Sequence, residues 1–182
     1  MTDAPPRLVI DACVLFARIP RGIALNAAEA GLVTPFWSAR ILEEWRRSAA
    51  RKPGGEAAAL IAGAMNARWP QAMLPADPAR EAAIHLPDPA DAHVAAVAAG
   101  HAQAILTFNI RDFPRRTLAG LGLEALHPDG LYWLLYSQAP GVMGAILREI
   151  AAEHGAATGD EVRRLLKRSL LPRLGKAVAA DW

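Results

Sequence analysis

Four short apolar runs alternate along the chain with longer stretches of helical pattern. The runs cover residues 8–10, 32–34, 104–107 and 123–126. Apolar runs of this length, bounded by turn residues, are typical of buried strands. Strands that alternate with helices indicate βαβ units, so we expect an α/β fold with a mostly parallel β-sheet flanked by helices.

The helical stretches have recognisable ends. Ser38 is a favourable N-cap for a helix that runs to about Ala50 and stops before the breaker at 52–55. The proline-containing stretch 71–89 is expected to be mainly loop. Further helices are expected at about 22–30, 56–69, 129–137, 141–154 and 159–170.

Composition sets the size and the class of the protein. At 182 residues, 53% of them apolar, the chain can bury one core. We expect a domain over 1–137 and a C-terminal helical extension over 138–182, packed on that domain or on a partner. Cys13 alone cannot form an internal disulfide, and no stretch reaches the roughly 18 apolar residues of a membrane helix. We therefore expect a soluble, cytoplasmic protein that does not contact a membrane.

Two of the predicted strands run into polar residues. Asp11 follows strand 8–10 directly, and Asn109 and Asp112 follow the strand that ends at Thr107. Sites in parallel sheets form at the carboxyl ends of the strands. A carboxylate beside apolar residues is costly to bury unless it is paired, hydrogen-bonded or bound to a metal, but Asp11 could equally cap the next helix.

The glutamates of the second predicted helix have a structural interpretation. Glu43 lies four residues before Arg47, which is typical of an ion pair on a solvated helix face. Adjacent helical residues point about 100° apart, so Glu43 and Glu44 cannot share one role. One of them could still reach inward beside the apolar face.

The remaining acids also have structural interpretations. Asp88 before Pro89 is a typical N-cap, and Asp91 falls in the first turn of an Ala- and Val-rich helix, where the helix dipole favours a negative charge. Asp112 could belong to a turn that ends at Pro114. None of these acids establishes a function alone.

Taken together and in this order, the acids resemble the PIN-domain family of nucleases. The matching motifs are Val9-Ile10-Asp11-Ala12-Cys13-Val14-Leu15, Trp37-Ser38-Ala39-Arg40-Ile41-Leu42-Glu43-Glu44, Leu86-Pro87-Asp88-Pro89-Ala90-Asp91-Ala92-His93-Val94-Ala95-Ala96 and Thr107-Phe108-Asn109-Ile110-Arg111-Asp112-Phe113. The resemblance covers about residues 7–137, and the helical tail is similar to one branch of bacterial PIN proteins. It implies a Mg²⁺ or Mn²⁺ cofactor and endonucleolytic cleavage of RNA.

The resemblance also implies roles for individual residues. Its catalytic and metal-binding acids correspond to Asp11, Glu44, Asp91 and Asp112, with Asp88, Asn109, Ser38 and Thr107 in support. Some branches of the family place the fourth acid where Asn109 stands. Asn109 offers only a neutral carbonyl oxygen, so we assign the charge to Asp112, and the choice between the two stays open.

Partners and alternatives follow from the same resemblance. Many members are the toxin of a VapC-type toxin–antitoxin pair, so RNA, an antitoxin protein and a second copy of the chain are the expected partners. Candidate RNA contacts are Arg46, Arg47, Arg111 and Arg115, with Arg51, Lys52 and Arg116 nearby. Each of these cations could be simply solvated, and His93 is expected at the surface.

Two other functions compete with the nuclease. A catalytically silent PIN-like module would bind RNA or protein without cutting, although retention of the full acid set argues against it. A phosphatase of the haloacid dehalogenase type needs a second aspartate two residues after the first. Cys13 stands at that position, so this alternative is set aside.

Overall fold

The computed structural model describes residues 4–182, whose five strands form one parallel sheet in the order β3-β2-β1-β4-β5. The strands are β1 (Arg7–Ile10), β2 (Thr34–Ser38), β3 (Met73–Leu74), β4 (Ala104–Leu106) and β5 (Glu124–Leu126). β1 lies at the centre, and Leu8, Val9 and Ile10 are all buried. A continuous apolar run suits such a strand, because helices cover a parallel sheet.

Helices connect and flank the strands, so the parallel α/β fold expected from the sequence is confirmed. They are α1 (Ala12–Phe16), α2 (Arg18–Glu29), α3 (Ala39–Ala49), α4 (Ala57–Arg68), α5 (Pro78–Ala83), α6 (Ala92–Ala98), α7 (Arg115–Ala119), α8 (Pro128–Gln138), α9 (Pro140–Glu153), α10 (Gly159–Arg168) and α11 (Pro172–Ala180). Short 3₁₀ turns at Pro89–Asp91 and Ile110–Asp112 carry Asp91 and Asp112 and precede α6 and α7.

The second strand lies further along the chain than expected. The prediction was 32–34, whereas β2 begins at Thr34 and ends at Ser38. Leu32 belongs instead to the end of α2, because its N–H donates to the carbonyl of Ala27, and Gly31 takes the left-handed conformation (φ 72°). This is the usual way in which glycine ends a helix, and it places Leu32 outside the strand.

The stretch 71–89 is also more ordered than a loop. It contains the edge strand β3 and the helix α5, two short elements that the sequence pattern did not predict within an otherwise irregular stretch. Pro78 occupies the first turn of α5, and Asp77 caps the helix by accepting a hydrogen bond from the Arg80 N–H at 2.9 Å. Proline at this position starts a helix rather than breaking one.

The C-terminal helices pack on the sheet domain. α9 contacts α2, and α11, which the sequence pattern did not predict, contacts α8 and α10. The Tyr132 hydroxyl of α8 donates to the carbonyl of Pro20 in α2 at 2.8 Å. Across residues 4–182, no helix is long and apolar enough to cross a membrane.

Candidate active site

A cavity of ≈ 510 Å³ lies at the edge of the sheet where β1 and β4 end. Its lining includes Asp11, Glu44, Asp91 and Asn109, which come from four separate stretches of the sequence. Parallel strands deliver the residues that follow them to one edge, and this geometry brings Asp11 and Asn109 together. Three of the four predicted acids therefore line one cavity, while Asp112 does not.

Asp11 is the most deeply buried acid of the cavity, with 5% of its surface exposed. Its N–H extends the sheet by donating to the Leu106 carbonyl at 3.0 Å, and its side chain makes no helix-capping hydrogen bond. Oδ2 accepts from the Thr107 hydroxyl at 2.7 Å and lies 3.1 Å from Cys13 Sγ. Within the described part of the chain Oδ1 accepts no hydrogen bond, which leaves one carboxylate oxygen for a ligand in the cavity.

Thr107 joins two of the predicted site residues. Its buried hydroxyl donates to Asp11 and accepts a hydrogen bond from the backbone N–H of Asn109 at 3.0 Å. One side chain therefore fixes both the Asp11 carboxylate and the loop that carries Asn109. Such bonds are typical of residues that orient a ligand side chain from behind.

Glu43 and Glu44 face different surroundings, as their positions on a helix require. Glu43 is paired at the surface with Arg47 at 2.8 Å and Arg46 at 3.4 Å. Glu44 lines the cavity and pairs with Arg40 at 3.3 Å. The geometry therefore agrees with the choice of Glu44 as the inward glutamate. Ser38 keeps its expected place, since its hydroxyl caps α3 by accepting from the Ile41 N–H.

His93 is a site neighbour that the sequence analysis misplaced. It is 3% exposed rather than at the surface, and its Nε2 lies 3.0 Å from Glu44 Oε1. The contact is close enough for attraction but too misaligned for a good hydrogen bond, and neither ring nitrogen has another partner in the described structure. The signal was present in the sequence, because an Ala- and Val-rich helix without charged residues, such as α6, is typically buried on every side.

The carboxylate of Glu44 stays ionised. Burial alone would raise its pKa, but the contacts with His93 and Arg40 outweigh burial and leave the pKa below its ordinary value. An ionised carboxylate within reach of the cavity can serve as a cation ligand or orient water.

The pKa of Asp91 is shifted in the opposite direction to that of Glu44. Asp91 ends the 3₁₀ turn before α6, and its pKa is raised to about 6 by burial and by the negative charges of Asp11, Asp88 and Asp112. Asp88 caps this turn, as expected, by accepting from the Ala90 N–H at 2.9 Å. Burial and nearby negative charges both disfavour an ionised carboxylate, so the shift follows from the position of Asp91 beside these acids.

The fourth acidic position implied by the resemblance could be Asn109 or Asp112. Asn109 lines the cavity, whereas Asp112 closes the next turn outside the lining. Asp112 still contributes to the raised pKa of Asp91. The side chain at the cavity is therefore the neutral Asn109, and Asp112 acts on Asp91 only through its charge.

The basic residues nearest the acids are only partly those expected. Arg51 and Lys52 line the cavity. Arg46 and Arg47 are occupied by Glu43 and lie outside the lining. The exposed residues Arg111 and Arg115 lie outside it as well.

The donor set fits a hard divalent cation in its chemistry. Carboxylate and amide oxygens are the ligands that Mg²⁺ and Mn²⁺ prefer, and the repulsion at Asp91 is the kind that a cation relieves. In the residues described, no three His, Cys, Asp or Glu side chains form a ready-made metal cluster. Mg²⁺ commonly keeps several waters beside one or two carboxylates, so it does not require such a cluster.

Comparison with known proteins gives one finding for this region. A family model described as PIN domain matches residues 7–111, whereas no curated protein and no solved structure gives a significant match. The matched span includes Asp11, Glu44, Asp91 and Asn109 and ends one residue before Asp112. Because this span is more than half of the chain and its strands carry the acids to one cavity, the chain belongs to the PIN-domain family.

Proposed function

We propose that the chain is a Mg²⁺- or Mn²⁺-dependent endoribonuclease that hydrolyses RNA phosphodiester bonds at the acidic cavity. The observation that carries the proposal is the convergence of Asp11, Glu44 and Asp91 on one cavity from distant parts of the sequence. Family membership supports it, since PIN domains are generally nucleases.

Each residue has a role in this proposal. Asp11, Asp91 and Glu44 would hold the cation directly or through water, with Asn109 as a neutral oxygen ligand and Asp112 as the fourth negative charge. When bound, the cation supplies Lewis-acid polarisation of the scissile phosphoryl group and lowers the pKa of water.

The surrounding residues prepare this arrangement. Thr107 fixes the Asp11 carboxylate, and Arg40 together with His93 keeps Glu44 ionised. Arg51 and Lys52, at the rim, offset the repulsion between the acids and an incoming phosphate. The acids would otherwise repel the polyanionic substrate.

The direct test is cleavage of a labelled single-stranded RNA by purified protein. We expect cleavage with Mn²⁺ or Mg²⁺, none with EDTA, and none with Asp91→Asn in a protein whose circular dichroism is unchanged. Undiminished cleavage by Asp91→Asn would refute the site assignment. Mn²⁺ located by anomalous scattering in soaked crystals would identify the ligands directly.

The competing function is a silent module that binds RNA or protein without chemistry. It predicts tight RNA binding and no cleavage of any RNA with either metal. The free Oδ1 of Asp11 and the unrelieved repulsion at Asp91 favour the enzyme, since a silent module has no need to retain them.

A finer version of the proposal makes the chain the toxin of a VapC-type pair. Its support is the resemblance of the sequence motifs. It predicts that expression of the wild-type chain arrests bacterial growth, that Asp91→Asn does not, and that a small antitoxin protein encoded next to it restores growth.

A further inference from the structure

A second cavity adjoins the acidic one and has the opposite charge. Its volume is ≈ 530 Å³, and it shares Phe16 and Lys52 with the acidic cavity. Arg18 and Arg21 also line it, while no Asp or Glu side chain does. We call it the cationic groove, defined by Phe16, Arg18, Arg21 and Lys52. The groove continues the acidic cavity along the surface.

The cations of the groove are unneutralised. Between residues 4 and 182, no carboxylate lies within 4.0 Å of the charged atoms of Arg18, Arg21 or Lys52. Other arginines of the chain do find acidic partners, namely Arg40, Arg46, Arg47, Arg68 and Arg80. Burial and the charge of Arg18 lower the pKa of Arg21, a cost that a bound anion would relieve.

Arg21 is already held in place. Its Nη1 donates to the carbonyl of Leu15, and its guanidinium lies over the Trp45 ring, 5.1 Å from the ring centre. No other hydrogen bond of this guanidinium is found in the described residues. A fixed guanidinium with free N–H groups is suited to phosphate, whose oxygens match its forked donors.

Phe16 stands at the junction of the two cavities. It is 40% exposed, one of few large apolar side chains at the surface. An exposed aromatic ring beside a row of cations is the usual arrangement of proteins that bind single-stranded nucleic acid, because bases stack on the ring while the cations hold the backbone.

We propose that the cationic groove binds the stretch of single-stranded RNA next to the scissile phosphate. Arg18, Arg21 and Lys52 hold successive backbone phosphates, and Phe16 stacks on a base. The proposal rests on the proposed nuclease function for the position of the scissile phosphate, and it gives the direction in which the strand leaves the acids.

Binding can be measured apart from cleavage. In EDTA, fluorescence anisotropy of a labelled single-stranded RNA should show about tenfold weaker binding for the double variant Arg18→Gln, Lys52→Gln. The dependence of log affinity on log salt should become shallower by about 1.4, since each lost phosphate contact on a single strand removes about 0.7. The matched control Arg163→Gln, Arg164→Gln removes two charges from α10, which lines neither cavity, and should bind within about twofold of wild type.

Phe16 gives a second readout. A 2-aminopurine base placed along the RNA should be quenched on binding to wild type, and Phe16→Leu should remove the quenching at one position. Equal binding by the groove variant and the control would overturn the proposal. So would an equal loss of affinity for duplex RNA of the same sequence, since the groove is assigned to a single strand.

The failures of the two proposals are distinguishable. If the wild type cleaves RNA with Mn²⁺ but the groove variant binds and cleaves like the control, the groove proposal is wrong and the nuclease proposal stands. If the groove variant loses binding while the wild type cleaves no RNA, the nuclease proposal is wrong and the groove remains a single-strand site.

Discussion

Asp129 and Asp91 both lie at the start of a helix, but they differ in their hydrogen bonds and in the charges around them. Asp129, 9% exposed at the start of α8, accepts hydrogen bonds from the backbone N–H groups of Arg173 and Leu174 at 3.0 and 2.9 Å. Asp91 faces three other acids, and its pKa is raised to about 6 by burial and by their charges. Backbone N–H groups of the C-terminal extension satisfy Asp129, whereas no hydrogen-bond donor or salt-bridge partner relieves the repulsion at Asp91 in the described residues.

This contrast separates structural from functional polar groups. Natural proteins satisfy nearly all buried polar atoms, so the exceptions deserve an explanation. Among the described residues the exception is His93, whose buried ring nitrogens lack well-formed hydrogen bonds beside Glu44, and the half-buried Asp91 of the same site is repelled by its neighbours. A missing hydrogen bond and a repulsion between charges at the same place are typical of a ligand-binding site.

The largest expected effect tests Glu44 against its neighbour. Glu44→Gln should lower RNA cleavage by at least about a hundredfold, equivalent to about 3 kcal/mol of barrier, because it removes a proposed cation ligand. Glu43→Gln removes the same charge one residue away, where it only pairs with Arg46 and Arg47, and should keep activity within about twofold. Initial rates under saturating Mn²⁺ measure both, and similar losses in the two variants would contradict the assignment.

The next prediction concerns Asp129, whose carboxylate has hydrogen-bond partners. Asp129→Ala leaves two backbone N–H groups at the start of α11 without an acceptor, and we expect a loss of about 3 kcal/mol in the free energy of unfolding. Asp129→Asn keeps one acceptor oxygen and should lose about half as much. Urea unfolding measures both. Activity per folded molecule should be unchanged, and a specific loss of cleavage would place Asp129 on the functional side of the comparison.

Local features of both regions could be predicted from the sequence. Ser38 as a helix cap and the strand leading to Asp11 depend on neighbouring residues, and the structure has both. Asp88, predicted as a helix N-cap, does act as a cap, but the element that it caps is a 3₁₀ turn in front of α6. The resemblance of the motifs, in their order, to the PIN-domain family then favoured Glu44 over Glu43. Such features are encoded within a few residues, so a sequence pattern can identify them.

Features set by tertiary packing could not be predicted in the same way. Whether Asn109 or Asp112 lines the cavity depends on how a 3₁₀ turn is oriented after β4. Arg18 and Arg21 are ordinary helical arginines in sequence, and only the packing of α1, α2 and α3 places them in a groove. The spacing of residues within one segment does not predict how that segment packs against the others.

His93 extends the comparison of Asp129 with Asp91, because its ring is buried but its nitrogens lack well-formed hydrogen bonds. His93→Leu should lower cleavage by about tenfold, since it removes the polar ring next to Glu44, while leaving the unfolding free energy nearly unchanged. His93→Gln restores an N–H donor and should recover most of the activity. Stability and initial rate are measured on the same samples. A purely packing role predicts the reverse, with stability lost and activity per folded molecule kept.

The smallest expected effect concerns the stability of the metal-free protein. Asp91→Asn removes a charge that Asp11, Asp88 and Asp112 repel, so in EDTA at pH 7 the variant should be more stable than wild type by about 1 kcal/mol, reduced by solvent screening of this half-buried group. Because the folded pKa lies above the unfolded one, ionisation of Asp91 costs stability fully above pH about 6 and not at all below its ordinary value of 3.8.

The advantage of Asp91→Asn should therefore shrink as the pH falls from 7 to 4, and urea unfolding at both values measures it. Mn²⁺ should stabilise the wild type more than Asp91→Asn, because a ligand that binds only the folded state adds stability in proportion to its affinity. Asp160→Asn is the matched control, because this exposed acid lies in the first turn of α10 and lines neither cavity, and it should be slightly destabilised because it loses a favourable interaction with the helix dipole. If Asp91→Asn were instead less stable at pH 7, Asp91 would be a satisfied acid like Asp129, and the division of the molecule into a relieved and an unrelieved region would fail.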